Sequence, residues 1–225
     1  MFDWRWDFTF EILPRLLLAT LNTLLAAGIG YLIALFVGLL FALAQRTPYG
    51  LVNRAMRELV EFIRSTPLVL QIFFVFYVGP QFGIRLSPWA SGMIAIGLHY
   101  AAYLSEVYRA GIEAVPRGQW EACKALNLGA RRTYFGIIIP QALPASLPGM
   151  GNYLVGIFKD TPMLSVIGVA ELMHTANALG SETYRFLEPY TLVGVIFLMI
   201  SLPTAAGLRL FEAWVRRRLG LTRSP

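Results

Sequence analysis

LPRLLLATLNTLLAAGIGYLIALFVGLLFALA, residues 13–44, decides the fold class. A bilayer core of about 30 Å is crossed by about 20 apolar helical residues. This run is longer and is broken only by Arg15 and the small polar group Thr20, Asn22 and Thr23, so it predicts a tilted membrane helix with one end projecting from the bilayer. The chain around it has the same character. Its 225 residues are 56% hydrophobic and 14% charged, against about half apolar and about a quarter charged in soluble domains. That length has room for five or six crossings joined by short loops and for no large soluble domain beside them.

QRTPYG at 45–50 is a polar turn with Pro48 as breaker. A second crossing, 52–78, begins as a charged amphipathic helix carrying Arg54, Arg57, Glu58, Glu61 and Arg64 and becomes apolar after Pro67. The turn-rich GPQFGIRLSP ends it, and a third crossing follows over 89–108. The fourth spans 137–169, interrupted by Pro144, Pro148 and the KDTP of 159–162; a polar segment, 171–189, leads to the fifth, 190–210.

Five crossings put the termini on opposite sides. Basic residues collect on the cytoplasmic side. One side holds Arg46, Arg54, Arg57, Arg109, Arg117, Lys124, Arg131, Arg132, Arg216, Arg217, Arg218 and Arg223; the other holds Arg5, Arg85 and Arg185, with Arg15 at the boundary. The expected topology therefore has the N-terminus outside and the C-terminus in the cytoplasm. The same rule explains 19 Lys+Arg against 13 Asp+Glu without nucleic acid, for which no basic face is available. Phe2, Trp4, Trp6, Phe8 and Phe10 suit an interfacial aromatic belt. No cleaved signal is indicated, because the N-terminus opens on acids and aromatics.

Several chemistries are excluded. The two lysines follow Cys123 and Phe158, so no GK[ST] phosphate loop exists. The two histidines, His99 and His174, form no HExxH pair, and a lone cysteine, Cys123, offers neither disulfide nor metal cluster. No metal site and no catalytic residue is assigned, and a membrane-embedded enzyme is disfavoured.

The loop between the third and fourth crossings is VPRGQWEACKALNLGARRTYFGIIIPQALP. Pro116 and Gly118 are read as breaking the incoming helix, which puts Glu121 in the first turn of a short new one; Ala122, Ala125 and Leu126 give that helix a small apolar face. Arg131 and Arg132 are expected to favour its carbonyl end. From the residues alone, a helix lying on lipid headgroups and a protein-docking helix are both open.

EACKALNLGARRTYFGIIIP resembles the EAA loop of membrane subunits of bacterial binding-protein-dependent ABC importers, with Glu121, Ala122, Ile137 and Pro140 at the family's spacing. Cys123 replaces the second alanine, Asn127 stands where the family usually has glycine, and Gly129 lies two positions later. The resemblance extends over EFIRSTPLVLQIFFVFYVG, YLSEVYRAGIEAVPRGQWEA and FKDTPMLSVIGVAEL. These are similar to the polar amino acid uptake subfamily; the combination with GSETYRFLEPYTLVG is most similar to D-type permease subunits of ectoine/hydroxyectoine systems.

The resemblance implies an all-α integral membrane domain, residues 1–225, with five crossings and an external N-terminus, in the bacterial inner membrane. It also implies a coupling loop formed by Gly118, Glu121, Ala122, Cys123, Ala125, Leu126, Gly129, Ile137 and Pro140. The implied partners are an ABC ATPase dimer that carries ATP and Mg, a sibling permease or second copy, and a periplasmic or lipid-anchored solute-binding protein. This chain binds no cofactor in that scheme.

Two further sites come from the residues. Pro162 lacks an N–H and leaves the carbonyl of Phe158 without its helical partner, which a local break or a bound polar group can satisfy. Ionisable groups at such depth usually face a partner or a water-filled path. Asn152 and Lys159 share one helical stripe, with Tyr153 and Asp160 on the next; with Thr161 they form a candidate solute pathway, a Lys159–Asp160 ion pair being the competing reading. Arg64 and Thr66 mark a polar break where snorkelling and an inner gate are both open, and Glu106 belongs to that candidate gate or to a helix-end ion pair with Arg109. The rival function is a stand-alone ion-coupled carrier, which ordinarily shows broken helices in two corresponding halves; the sequence shows one KDTP and no evident counterpart to it.

Overall fold

The computed structural model describes residues 3–218 and is helical throughout, with no strand among the described residues. Phe2 of the aromatic cluster and Arg223 of the basic set, together with the side chains of Arg216 and Arg218, lie outside the described residues. Nine α-helices follow in order: α1 Trp6–Ala44, α2 Gly50–Ser65, α3 Leu68–Phe73, α4 Pro88–Glu113, α5 Arg117–Ala125, α6 Ala130–Thr133, α7 Ile139–Asp160, α8 Leu172–Thr183 and α9 Leu187–Arg218.

In α1 the small residues point inward and the large ones outward. Ala26, Ala34 and Ala42 are fully buried, whereas Leu18, Leu32 and Phe36 are each about two-thirds exposed. Water would drive leucines inward; lipid does not, so helices instead meet where small residues let backbones approach. α4 completes the seam. A Cβ on Gly38 would stand 2.9 Å from the carbonyl oxygen of Ala101, and one on Gly97 2.5 Å from a methyl of Ile33. Gly38→Ala is expected to force the backbones apart at a cost of about 1–3 kcal/mol, read as a lower thermal midpoint in detergent.

By length and composition, α1 and α9 are the two helices among the described residues apolar enough to cross a membrane, or up to four spans if two bent pairs are each one span. Length and composition thus give two to four candidate spans among the described residues, where the sequence reading expects five. α4 carries Ser91, His99, Tyr100 and Ser105 as buried residues, because α1 and α7 cover it; a helix shielded from lipid need not be uniformly apolar.

The second crossing is broken. α2 ends at Ser65 and the chain from Leu68 to Phe82 leaves at 107°. Pro67 forces Thr66 into an extended conformation, φ −107 and ψ 139, so the charged helix and the apolar one do not continue each other. The fourth span differs too. Pro144 and Pro148 are accommodated inside α7, and the chain continues as a 3-10 helix, Thr161–Ile167, before bending by 47° into α8.

The segment 171–189, expected as a polar connection, contains α8, whose Leu172, Ala176 and Leu179 pack with Ile12 and Leu16 of α1 and Ile196 of α9. The small polar residues of α1 explain its placement. Thr23 Oγ1 accepts from the Leu172 N–H at 3.0 Å, and Asn22 Nδ2 donates to the Ala170 carbonyl at 2.7 Å. Glu171, fully buried, caps α8 by accepting from the N–H groups of Met173 and His174.

Candidate functional site

The short helix of the loop, α5, begins at Arg117, so Gly118 lies within its first turn and Glu121 in its second. Both expectations for that start are thereby corrected: Pro116 delimits the helix, and Gly118 breaks nothing. Arg131 and Arg132 belong to α6, while Lys124 is the basic residue of α5's last turn. Asn127 takes up the left-handed conformation, φ 50, and Gly129 is extended at φ −62. Asparagine tolerates that region better than other side-chain-bearing residues, so the turn stays where the family glycine would put it.

α5 has two faces. Cys123 is 3% exposed, and Trp120 packs with Ile112, Val115, Ile138 and Ala142 and stands edge-on to Tyr134. Arg46 fixes this face from the other side, pairing with Glu113 at 3.7 Å and lying 5.6 Å over the Trp120 ring. Gly118, Glu121, Ala122, Ala125 and Leu126 are exposed, Leu126 by 70%. Gly129 and Pro140 are exposed as well, while Ile137 is half-buried against the inner face. Cys123 and Ile137 therefore hold the loop to the bundle, and the small residues look outward.

The second site is a cleft of 560 Å³ between α4 and α7, lined among others by His99, Tyr100, Tyr103, Asn152, Tyr153 and Asp160. Helical spacing puts His99, Tyr100 and Tyr103 on one side of α4 and Asn152, Tyr153, Gly156 and Asp160 on the facing side of α7. Two glycines bring the helices together: a Cβ on Gly149 would stand 2.8 Å from a Val107 methyl, and one on Gly156 3.1 Å from the Tyr100 hydroxyl. That hydroxyl donates to Asp160 Oδ2 at 2.7 Å. The Tyr153 ring lies 5.9 Å from that of Tyr100 and 5.5 Å from that of Tyr103.

Lys159 is exposed and does not line the cleft, and the Lys159–Asp160 ion pair does not form. Among the described residues no cationic side chain pairs with Asp160. Thr161 is also elsewhere: fully buried, it donates its hydroxyl to the Phe158 carbonyl at 2.8 Å. That is the carbonyl Pro162 deprives of its usual partner, and the hydroxyl and backbone N–H of Thr161, next to the proline, both reach it.

Of the candidate gate residues, Arg64 and Thr66 sit at the α2–α3 break and Glu106 lies in α4. Arg64 lies 5.3 Å over the Tyr103 ring and pairs with Glu61 at 3.5 Å. Thr66 hydrogen-bonds back to the carbonyls of Phe62 and Ile63. Glu106 pairs with Arg109 at 2.6 Å, the helix-end arrangement, and is not part of the cleft lining. His99, Tyr100, Tyr103 and Trp120 did not enter the sequence assignment. HYAAY carried the signal for the first three: three polar aromatics on one helical face do not suit lipid.

These features, a loop helix exposed on one face and a cleft between α4 and α7, belong to a bundle in which α1 and α9 are apolar enough to cross a membrane. The chain belongs to the family of binding-protein-dependent transport system inner membrane components, which it matches over residues 30–217. It is 44% identical over 160 residues to the probable amino-acid ABC transporter permease protein y4tG of Sinorhizobium fredii, covering 71% of this chain and 69% of that protein. It is 38% identical over 148 residues to the L-cystine transport system permease protein TcyB of Bacillus subtilis, covering 64% and 63%. A crystal structure of an amino acid ABC transporter with histidines superposes with a TM-score of 0.86 at 30% identity, covering 94% of this chain and 99% of that one.

The chain is thus a permease subunit of an ABC importer and not an enzyme itself. KDTP does not stand alone: among the described residues the chain bends by more than 40° at 66–67, the polar break the sequence marks at Arg64 and Thr66, and at 168–171, beyond KDTP. Broken helices therefore do not argue against an ion-coupled carrier; family membership does.

Proposed function

We propose that this chain, as one transmembrane domain over residues 1–225, forms half of the pathway of an ATP-driven importer for amino-acid-like zwitterions. The other half is a sibling permease or a second copy. Two ATPase subunits carrying ATP and Mg bind the cytoplasmic loops, and a periplasmic or lipid-anchored binding protein delivers the solute. Five crossings fit this role: α1, the chain from Leu68 to Phe82, α4, α7 with its 3-10 continuation, and α9. The asymmetry of basic residues supports an external N-terminus and a cytoplasmic C-terminus.

The observation that carries the reading is the two-faced α5. Its inner face is pinned by Trp120, Cys123 and Arg46, and its outer face presents residues small enough for another protein to approach closely. A helix tied to the bundle on one side and free on the other transmits force. ATP binding elsewhere can then shift the balance of two permease orientations only through contacts that differ between them. With Leu126→Cys in a Cys123→Ala background, a bifunctional crosslinker is expected to join permease to ATPase in the assembled, transporting complex. Capture of phospholipid alone would sink the coupling role.

The cleft supports the substrate class. Asp160 offers a negative charge and the tyrosines offer ring faces, a combination that suits a cationic nitrogen. Within that class we place ectoine or hydroxyectoine first, on the resemblance carried by GSETYRFLEPYTLVG and the segments before it. Uptake competition among ectoine, arginine, glutamine and cystine decides the order, and ectoine failing to compete removes that finer assignment.

A further inference from the structure

The cleft holds a second acceptor beside Asp160, and a residue outside the cleft sets its chemistry. Gln71 lies on α3, just past the break at Thr66. Its Nε2 is 2.7 Å from the carbonyl of Ile63, 3.2 Å from that of Thr66 and 2.7 Å from the Thr66 hydroxyl oxygen. Carbonyl oxygens only accept, so the amide must turn its NH2 toward them. The need is local: Pro67 supplies no N–H, and the last carbonyls of α2 lose their helical partners.

With its nitrogen committed there, the amide presents Oε1 to His99, whose Nδ1 is 3.2 Å away. An amide oxygen also only accepts, so Nδ1 carries the proton. A neutral imidazole protonated at Nδ1 leaves Nε2 with a free lone pair. Nε2 is neither hydrogen-bonded nor sealed in among the described residues, and the ring lines the cleft with Tyr100, Tyr103 and Asp160.

We propose that the neutral His99 ring, its tautomer set by Gln71, accepts an N–H of the transported solute at Nε2 and so selects N–H-bearing cations over fully N-methylated ones. The inference rests on the solute-binding role of the cleft. Asp160 and the tyrosine rings would welcome an ammonium whether or not it bears hydrogen. His99 would not: a quaternary nitrogen leaves its lone pair buried against methyl groups, and sites built to hydrogen-bond a substrate discriminate through that unmet group. Because Gln71 also ties off the α2–α3 break, a filled cleft and the set of that break share one amide.

The test uses the assembled complex with its ATPase and binding protein in proteoliposomes. The probe is whichever of ectoine, arginine, glutamine and cystine the wild type takes up best. His99→Phe keeps a ring and removes the acceptor; KM is expected to rise by ~10-fold or more with kcat changed less, since a hydrogen bond to a charged group is lost. His99→Gln, whose carbonyl oxygen reaches the Nε2 position, recovers part of that loss. The preference for the probe over its fully N-methylated analogue shrinks ~10-fold in His99→Phe.

An unmoved KM with a lower kcat, or an unchanged preference, overturns the proposal. If His99→Phe does not assemble, the same two measurements on His99→Leu, which also removes the acceptor, decide by the same outcomes. Asp160→Asn measured alongside separates the two failures. An effect there without one at His99 rejects this inference alone, and no effect at either rejects the cleft as the solute site.

Discussion

Asp160→Asn lowers uptake by about 100-fold in a complex that still assembles. The substitution is nearly isosteric, and the asparagine carbonyl oxygen can still accept from the Tyr100 hydroxyl at the distance the carboxylate now holds, 2.7 Å. Cleft shape and ring packing therefore persist, and only the charge is removed. Hydrogen bonds to charged groups contribute about 1.5–3 kcal/mol, and 1.4 kcal/mol is about tenfold. The upper part of that range applies here, because Asp160 has no cationic side chain to pair with among the described residues. Initial rates of solute uptake in proteoliposomes check it; normal transport by the variant removes Asp160 from the pathway.

Ala122→Trp separates ATP hydrolysis from transport. The position is exposed, so the indole enlarges the outer face of α5 without entering the packing around Trp120 and Cys123. A partner surface shaped to small residues would have to open, and overpacking of that kind costs about 1–3 kcal/mol per site. Uptake is expected to fall about tenfold or more, with the permease itself as thermostable as wild type. ATPase activity loses its response to solute-loaded binding protein. Undiminished uptake would mean that no protein docks on this face.

Much of this architecture was legible because lipid imposes simple rules. The run at 13–44 could be nothing but a long helix, and α1 spans it. The loop helix was legible as well, since Pro116 had to stop one helix before another began. Its exact start was not: Gly118 suggested a breaker, yet the first turn of a helix tolerates glycine, and α5 simply begins a turn earlier than Glu121 implied.

What stayed hidden was set by partners distant in sequence. α8 looked like a connection because its apolar residues are few, and it is held by Thr23 and Asn22, about 150 residues away. The cleft showed half of itself. Asn152, Tyr153 and Asp160 followed from helical spacing around a proline, whereas Tyr100 and His99 acquire their roles only when α4 lies against α7. Lys159 misled for the same reason: charge and depth marked it, but nothing in one helix says which way its neighbour lies.

The mixed character of α4 has a consequence for how the protein is made. A segment that carries His99 and two buried serines partitions poorly into lipid by itself during synthesis. Its glycine and alanine contacts with α1 supply what hydropathy does not, so α4 is expected to enter the bilayer only once α1 is there to receive it.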